Sequence, residues 1–490
     1  VKTSKRKKEM KKRLLSVLLI LAAIASCISH NEKSLCSIHS SCIVVDDLGN
    51  SYVVWTGWQS SISSSYEIYW VKVDASGTPG EVEKISTHLD SVGRDNNDPH
   101  IALDVAGNSY IVWQGNDGND NEIYWSKIDA LGNPGQVEKI STYPDNQENH
   151  DFRPQIAVDS SGNSYVVWEG NDGNYSQIYW VRVDASGNPG EVEKISTHPD
   201  NEGNDNDYAH IAVDITGDSY VTWRGWHGSD KISEIYWAKI DKLGNAGEVK
   251  RISADSHSKS NYGIPQIVVD GTGNSCVVWE GNDGNYSQIY WVRVDSSGNP
   301  GEVEKISTYP DNEGNDNCCP QIAVDASGNI YVVWEGCYGG SCWNAVGNYE
   351  IYWVKIEASG NPGEVEKIST HPENEGNNDH YPQIAVDASG NSNVVWYCWD
   401  NHHDFEIYWV KVDSSGNPGE VEKISTYREH QIYWDQDPHI TIDASGNSYI
   451  IWEAGQPDHD TYSAYDIYWI RMDVLGNCGR IMKIYSCILV

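Results

Sequence analysis

Phenylalanine and methionine are almost missing: the 490 residues contain 2 Phe and 3 Met, against 30 Tyr and 21 Trp. A core whose gaps are filled by flexible Met is thereby excluded, and aromatic bulk must come from rings that carry a polar handle. Positive charge is scarce as well, with 34 Lys and Arg against 71 Asp and Glu. Eight of the basic residues and one acid lie in the first 26 positions, which leaves 26 basic groups against 70 acidic ones in the rest. Such a chain repels nucleic acid and anionic membrane and attracts cations or weakly basic partners. Three signatures of catalysis are absent too: there is no Gly-x-Ser-x-Gly, no His-Glu-x-x-His and no phosphate-binding loop.

What the N-terminus does have is a basic cluster followed by an apolar run. "MKKRLLSVLLILAAIASC", from Met10, has the charged start, the apolar stretch Leu14 to Ile24 and the small residues of a secretory signal. The stretch is too short for a comfortable membrane span. Residues 1–26 are therefore expected to be an export signal, with Met10 as a possible true start. Two processing routes stay open. Ala23-Ile24-Ala25 fits ordinary signal cleavage, whereas Ile24-Ala25-Ser26-Cys27 has the form of a lipoprotein site with Cys27 lipidated, the one way this chain would attach to a membrane. Either route predicts a secreted or cell-surface protein, and an exported chain with 11 Cys is expected to form disulfides.

Tryptophan is periodic. A "YVVW"-like segment ends at Trp55, Trp113, Trp168, Trp223, Trp279, Trp334, Trp396 and Trp452, and an "IYW" follows in each unit of 55 to 62 residues. In the third unit "PQIAVD", "SYVVWEG", "QIYWVRVD" and "GEVEKIST" read as four short strands separated by Gly, Asn and Pro turns, an antiparallel meander. Eight such units predict an all-β, eight-bladed β-propeller of four-stranded antiparallel blades over residues 42–490, after a short segment 27–41. A solenoid of stacked meanders is the competing arrangement. The continuous apolar runs fit sheets buried on both faces, so the two Trp series are expected to pack between blades. Closure could use a disulfide across the seam, from Cys36 or Cys42 to Cys478 or Cys487. Cys337 and Cys342 could close a local loop, and the vicinal Cys318 and Cys319 have no assignable partner.

"PQIAVDASGNSYVVWEG" followed by "EIYWVKVD" resembles the repeats of secreted bacterial and archaeal propellers of the sialidase-like and TolB-like kind, and the resemblance covers all eight units. It implies architecture more than activity. The sialidase Asp-box, Ser-x-Asp-x-Gly-x-Thr-Trp, is not matched, since the corresponding turn reads "VDASGNPGEV". That family would also need an arginine cluster for a substrate carboxylate, for which Arg94, Arg153, Arg224 and Arg428 are the available residues.

In a propeller the long second-to-third strand loops and the blade connections share one face, and function is expected there. The Asp that opens each tight turn on the other face (Asp46, Asp104, Asp159, Asp214, Asp270, Asp325, Asp387 and Asp443) is expected to shape the corner. A ring of polar residues just before each first-strand Ile, namely His100, Gln155, His210, Gln266, Gln321, Gln383 and His439 with Cys42, is placed at the channel mouth. Glu169, Glu280, Glu335 and Glu453 follow the blade Trp. Trp58, Trp226, Trp343 and Trp399 are extra indoles expected in the loops. "HPDNEGNDND" and "YPDNEGNDN" offer Asp205, Asp207 and Asp316 as oxygen ligands, and the hairpins offer Asp117, Asp172 and Asp283, so Ca²⁺ is a possible cofactor although the order is not that of an EF-hand. "DNHHD" (400–404) could hold a transition metal. The expected function is non-catalytic binding of a glycan or a surface protein through this face. A glycoside hydrolase or lyase with its site at the channel mouth, and a purely structural surface protein, are the alternatives.

Overall fold

The computed structural model describes residues 40–59, 65–143, 150–201, 203–227, 232–253, 260–261, 263–309, 315–338, 348–371, 378–399, 405–426, 434–455 and 465–486. The signal, Cys27, Cys36, Trp343, Cys342, Cys487, Arg428 and the 400–404 cluster lie outside these residues.

Eight antiparallel four-stranded blades form a ring, each built from one sequence repeat. Their first strands are Ser41–Val45, Asn96–Leu103, Asp151–Val158, Asn206–Val213, Gln266–Val269, Asn317–Val324, Asn378–Val386 and Trp434–Ile442. In the fifth blade the strand is interrupted, with Ser260–Asn261 pairing separately. Each first strand touches those of its two neighbours, and the eighth touches the first, so these strands wall a central channel.

The ring closes by packing. Eight apolar clusters fill the eight gaps between blades. The one at the seam joins Ile43, Val53, Trp55 and Val71 to Tyr449, Ile451, Ile467 and Trp469. Both Trp series lie in these gaps, as their periodicity implies, and many of them use their N–H. In the second to seventh blades the blade Trp donates to an Asn or Asp at the start of its own blade, as from Trp113 to Asn96 and from Trp168 to Asp151, both at 3.1 Å. In alternate blades the second Trp donates to the next blade's Ser, as from Trp125 to Ser164 and, across the seam, from Trp469 to Ser51, again both at 3.1 Å, while the N–H groups of Trp70, Trp180, Trp291 and Trp409 have no partner among the described residues.

Of the cysteines named for the seam, Cys42 is disulfide-bonded, but not to Cys478, which is an exposed thiol directed at Glu422. Cys337 is likewise a buried thiol and does not close the local loop. The tight-turn Asp residues shape their corners: Asp159 accepts the N–H groups of Ser161 and Asn163 on one oxygen and the Tyr165 hydroxyl at 2.9 Å on the other.

Candidate ligand site at the channel mouth

Among the described residues six non-glycine positions adopt positive φ, and they occupy one position in six blades: Asp98, Arg153, Tyr208, Cys319, Tyr381 and Asp437, with φ from 49° to 57°. Each sits in a β-bulge where the first strand slips register against the second. Left-handed backbone costs a bulky side chain on the order of 1 kcal/mol or more, and such strain collects where side chains are re-aimed for a purpose. Neighbours in this ring meet, since the Ser40 hydroxyl lies 3.4 Å from Asp98.

A cavity of about 470 Å³ opens among these residues, reaching from Ser40 in the first blade to Ile264 in the fifth. Its floor and walls include Asp98, Gln114, Phe152, Arg153, Glu169 and Tyr208. The Tyr208 ring is held between two guanidinium planes, Arg153 at 4.4 Å and Arg224 at 4.5 Å. Arg224 in turn is locked by a two-pronged pairing with Asp207 at 2.7 Å. Glu169, buried, accepts from Arg153 at 3.0 Å and from the Tyr208 N–H at 2.6 Å. Burial pushes its carboxyl up to about 7, against the pull of Arg153. The result is a rigid platform with fixed donors and acceptors and one solvent-reachable guanidinium.

Glu335 repeats the Glu169 arrangement three blades on, accepting from the Tyr381 N–H at 3.1 Å. Glu453 differs. It is fully buried, and neither carboxylate oxygen has a hydrogen-bond partner. Burial and the neighbouring Asp437 push it well up, and burial holds Asp437 itself at about 6. Asp437 is enclosed by protein yet keeps a solvent-accessible face.

The Gln and His series sits deeper than the mouth. His100, His210, Gln266, Gln321, Gln383 and His439 are buried, and Gln155 is half-buried. Gln155 and His100 meet at 3.2 Å across two blades, and His210 accepts the Ile267 N–H. Burial lowers His210 to about 3, so its imidazole is neutral. One amide atom of each of Gln266, Gln321 and Gln383 has no protein partner, so this belt still offers hydrogen bonds inside the channel. Glu280 is buried at its ring position. Trp226 and Trp399 end second strands and do not lie within loops: Trp226 packs near Arg224, and Trp399 stacks on Phe405. The backbone of Trp58 ends a second strand too, and its side chain lies outside the described residues.

The six Asp residues named for a cation are scattered among other tasks. Asp205 and Asp316 accept the N–H groups of Ser176 and Ser287 in the preceding blade, and Asp207 pairs with Arg224. Asp283 accepts two N–H groups of its own hairpin. Asp172 does the same and also holds the Lys194 ammonium at 2.8 Å. At Asp117 an acidic group with Asp120 and Glu122 is bridged by Lys139. Burial opposes charge there, yet Glu122 and Asp117 hold the lysine above its ordinary value. A lysine thus supplies the positive charge at two of these hairpins. Lys139→Gln should lower stability by about 1–3 kcal/mol, the cost of leaving partly buried charge unpaired. Millimolar Ca²⁺ should then raise the thermal midpoint of the variant and leave the parent unmoved; an equal response in both would refute the substitution of lysine for cation.

The ring of bulges escaped the sequence reading, although a signal was present: Asp98, Arg153, Ile264, Cys319, Tyr381 and Asp437 all precede a proline. No known protein family matches the chain, and no curated protein matches its sequence. Solved structures similar to it include a puromycin hydrolase, at 13% identity and a TM-score of 0.47, covering 90% of this chain and 62% of that one. The polysaccharide lyase Uly1 matches at 10% identity and 0.45, over 82% of this chain and 91% of its own. The β-propeller domain of the Trilobed protease from Pyrococcus furiosus matches at 9% and 0.42, over 79% and 96%. The likeness is one of propeller architecture, and it does not single out the sialidase-like or TolB-like kind.

Proposed function

We propose that this is an exported binding protein whose channel mouth takes a neutral glycan without turning it over. The observation that carries the reading is the cavity of about 470 Å³ built around the Arg153–Tyr208–Arg224 stack. That volume lies in the range of small-ligand sites. Phe152 offers apolar area to a sugar ring, while Gln114, Arg153 and Glu169 offer fixed polar partners to its hydroxyls. The acidic surroundings disfavour a polyanionic glycan.

Calorimetry against a glycan panel tests this. Arg153→Ala should weaken binding at least tenfold, the effect of about 1.4 kcal/mol, with the far-UV spectrum unchanged. A panel with no binder, or binding indifferent to Arg153→Ala, would sink it. A second reading, a glycoside hydrolase or lyase, is favoured by one observation: Glu453, fully buried beside Asp437, is pushed well up, as a carboxyl kept protonated to act as general acid requires. Released sugar in the same incubations, lost in Glu453→Gln, would decide for it.

A further inference from the structure

Adjacent residues of a regular strand point to opposite faces of the sheet. Cys318 and Cys319 break this rule. They occupy the bulge of the sixth blade, and the positive φ of 57° at Cys319 turns the chain so that both sulfurs face one place. There the two Sγ atoms and a carboxylate oxygen of buried Glu335 lie within 4.8 Å of one another. Glu335 Oε1 is 3.8 Å from Cys318 Sγ and 3.0 Å from Nδ1 of His380, which comes from the seventh blade. The other oxygen is anchored by the Tyr381 N–H at 3.1 Å, and the Tyr349, Tyr381 and Tyr397 rings surround the imidazole.

We propose that Cys318, Cys319, Glu335 and His380 form a four-ligand site for a borderline-soft divalent cation of the zinc class, bridging the sixth and seventh blades at the channel mouth. Two sulfurs, one imidazole and one carboxylate are a donor set that zinc accepts and that hard Ca²⁺ or Mg²⁺ do not. The spacing suits a tetrahedron: ordinary zinc bond lengths separate sulfur from oxygen by about 3.6 Å and nitrogen from oxygen by about 3.4 Å. The observed 3.8 Å between Cys318 Sγ and Glu335 Oε1 fits already; His380, 3.0 Å from that oxygen, lies outside the 4.8 Å cluster of the other three donors and has to swing toward the sulfurs to complete the set. Loading releases the two thiol protons, and the neutral imidazole binds through Nδ1 with its ring proton on Nε2, so uptake strengthens as pH rises. The Tyr381 N–H then acts as the outer partner that keeps the carboxylate aimed.

The full chain, reduced and kept anaerobic, is titrated with Co²⁺ and then Zn²⁺. The expected result is a thiolate-to-cobalt charge-transfer band that saturates at one equivalent and is bleached by zinc. Cys319→Ser should remove most of the band, and His380→Ala, which leaves both thiols in place, should weaken zinc binding by more than about tenfold, the cost usual for an outer partner alone. Circular dichroism confirms that each variant is folded. A folded, reduced parent that gives no band overturns the proposal, as does a band equally strong in Cys319→Ser and His380→Ala, which would place the metal on other cysteines.

Discussion

Trp168→Ala is expected to destabilise the propeller by about 3–5 kcal/mol, the range for deleting a fully buried large aromatic side chain. Trp168 has no exposed surface, stacks on Tyr179 with ring centroids 5.9 Å apart and belongs to the cluster that joins the second and third blades. The site cannot collapse easily. Gly170, two residues on, already lies so close to Tyr179 that an added Cβ would sit 2.8 Å from the ring, so strands here are at contact distance. Trp168→Phe separates packing from hydrogen bonding: it keeps most of the bulk but strips the donor from the buried Asp151 carboxylate, for about 1–3 kcal/mol. Urea unfolding followed by circular dichroism measures both. Equal losses in the two variants would mean that the N–H, and not the volume, dominates; a loss below 1 kcal/mol in Trp168→Ala would contradict the packing role assigned to every blade Trp.

How much of this was legible in the sequence divides along a physical line. The ring itself was, because eight copies of a four-strand pattern with continuous apolar runs have few ways to bury both sheet faces. The Asp turns were too, since an Asp followed by Gly and Asn bonds its own corner wherever it occurs. The mouth was only half legible. Strand periodicity gave the Gln and His series the inward direction but not the depth, and it says nothing about a bulge, where one extra residue reverses the facing of what precedes it. Arg153 was noted only among the arginines that a sialidase-like cluster would need, while Tyr208 and Asp437 were not noted at all. Cys318 and Cys319 were unassignable for the same reason: read as a regular strand, the two sulfurs diverge, and only the positive φ of Cys319 brings them together. Glu335 and His380 are 45 residues apart and meet only because neighbouring blades do.

Asp437→Asn should make the protein more stable at pH 8 and leave it unchanged at pH 4. A carboxyl whose folded-state pKa is raised binds its proton more tightly in the folded chain. Its contribution is therefore fully present below the ordinary carboxylate range and is lost as pH rises through the folded value. For Asp437, ordinarily at 3.8 and moved to about 6 by burial, the window runs between those values, and the penalty at pH 8 is about 3 kcal/mol at 1.36 kcal/mol per pH unit. Burial raises Glu453 and Asp435 in the same direction and takes Glu169 to about 7, so the parent should lose stability continuously from pH 4 to 8. The exposed turn carboxylates act oppositely: Asp129, Asp241 and Asp413, held low by their Asn partners, stabilise above the ordinary range and cease to do so as pH falls below it. The two sets together place the stability maximum on the acid side of neutrality. Asparagine is a fair probe because it tolerates left-handed backbone as well as aspartate does, and it cannot ionise. It also removes the charge that helps to raise Glu453, so part of the gain appears through that neighbour. Denaturant midpoints at pH 4, 6 and 8 for parent and variant would show curves that meet at pH 4 and diverge upward for Asp437→Asn. Parallel curves would mean that Asp437 is already ionised and paired at neutral pH, and that the acid/base reading of the mouth has lost its support.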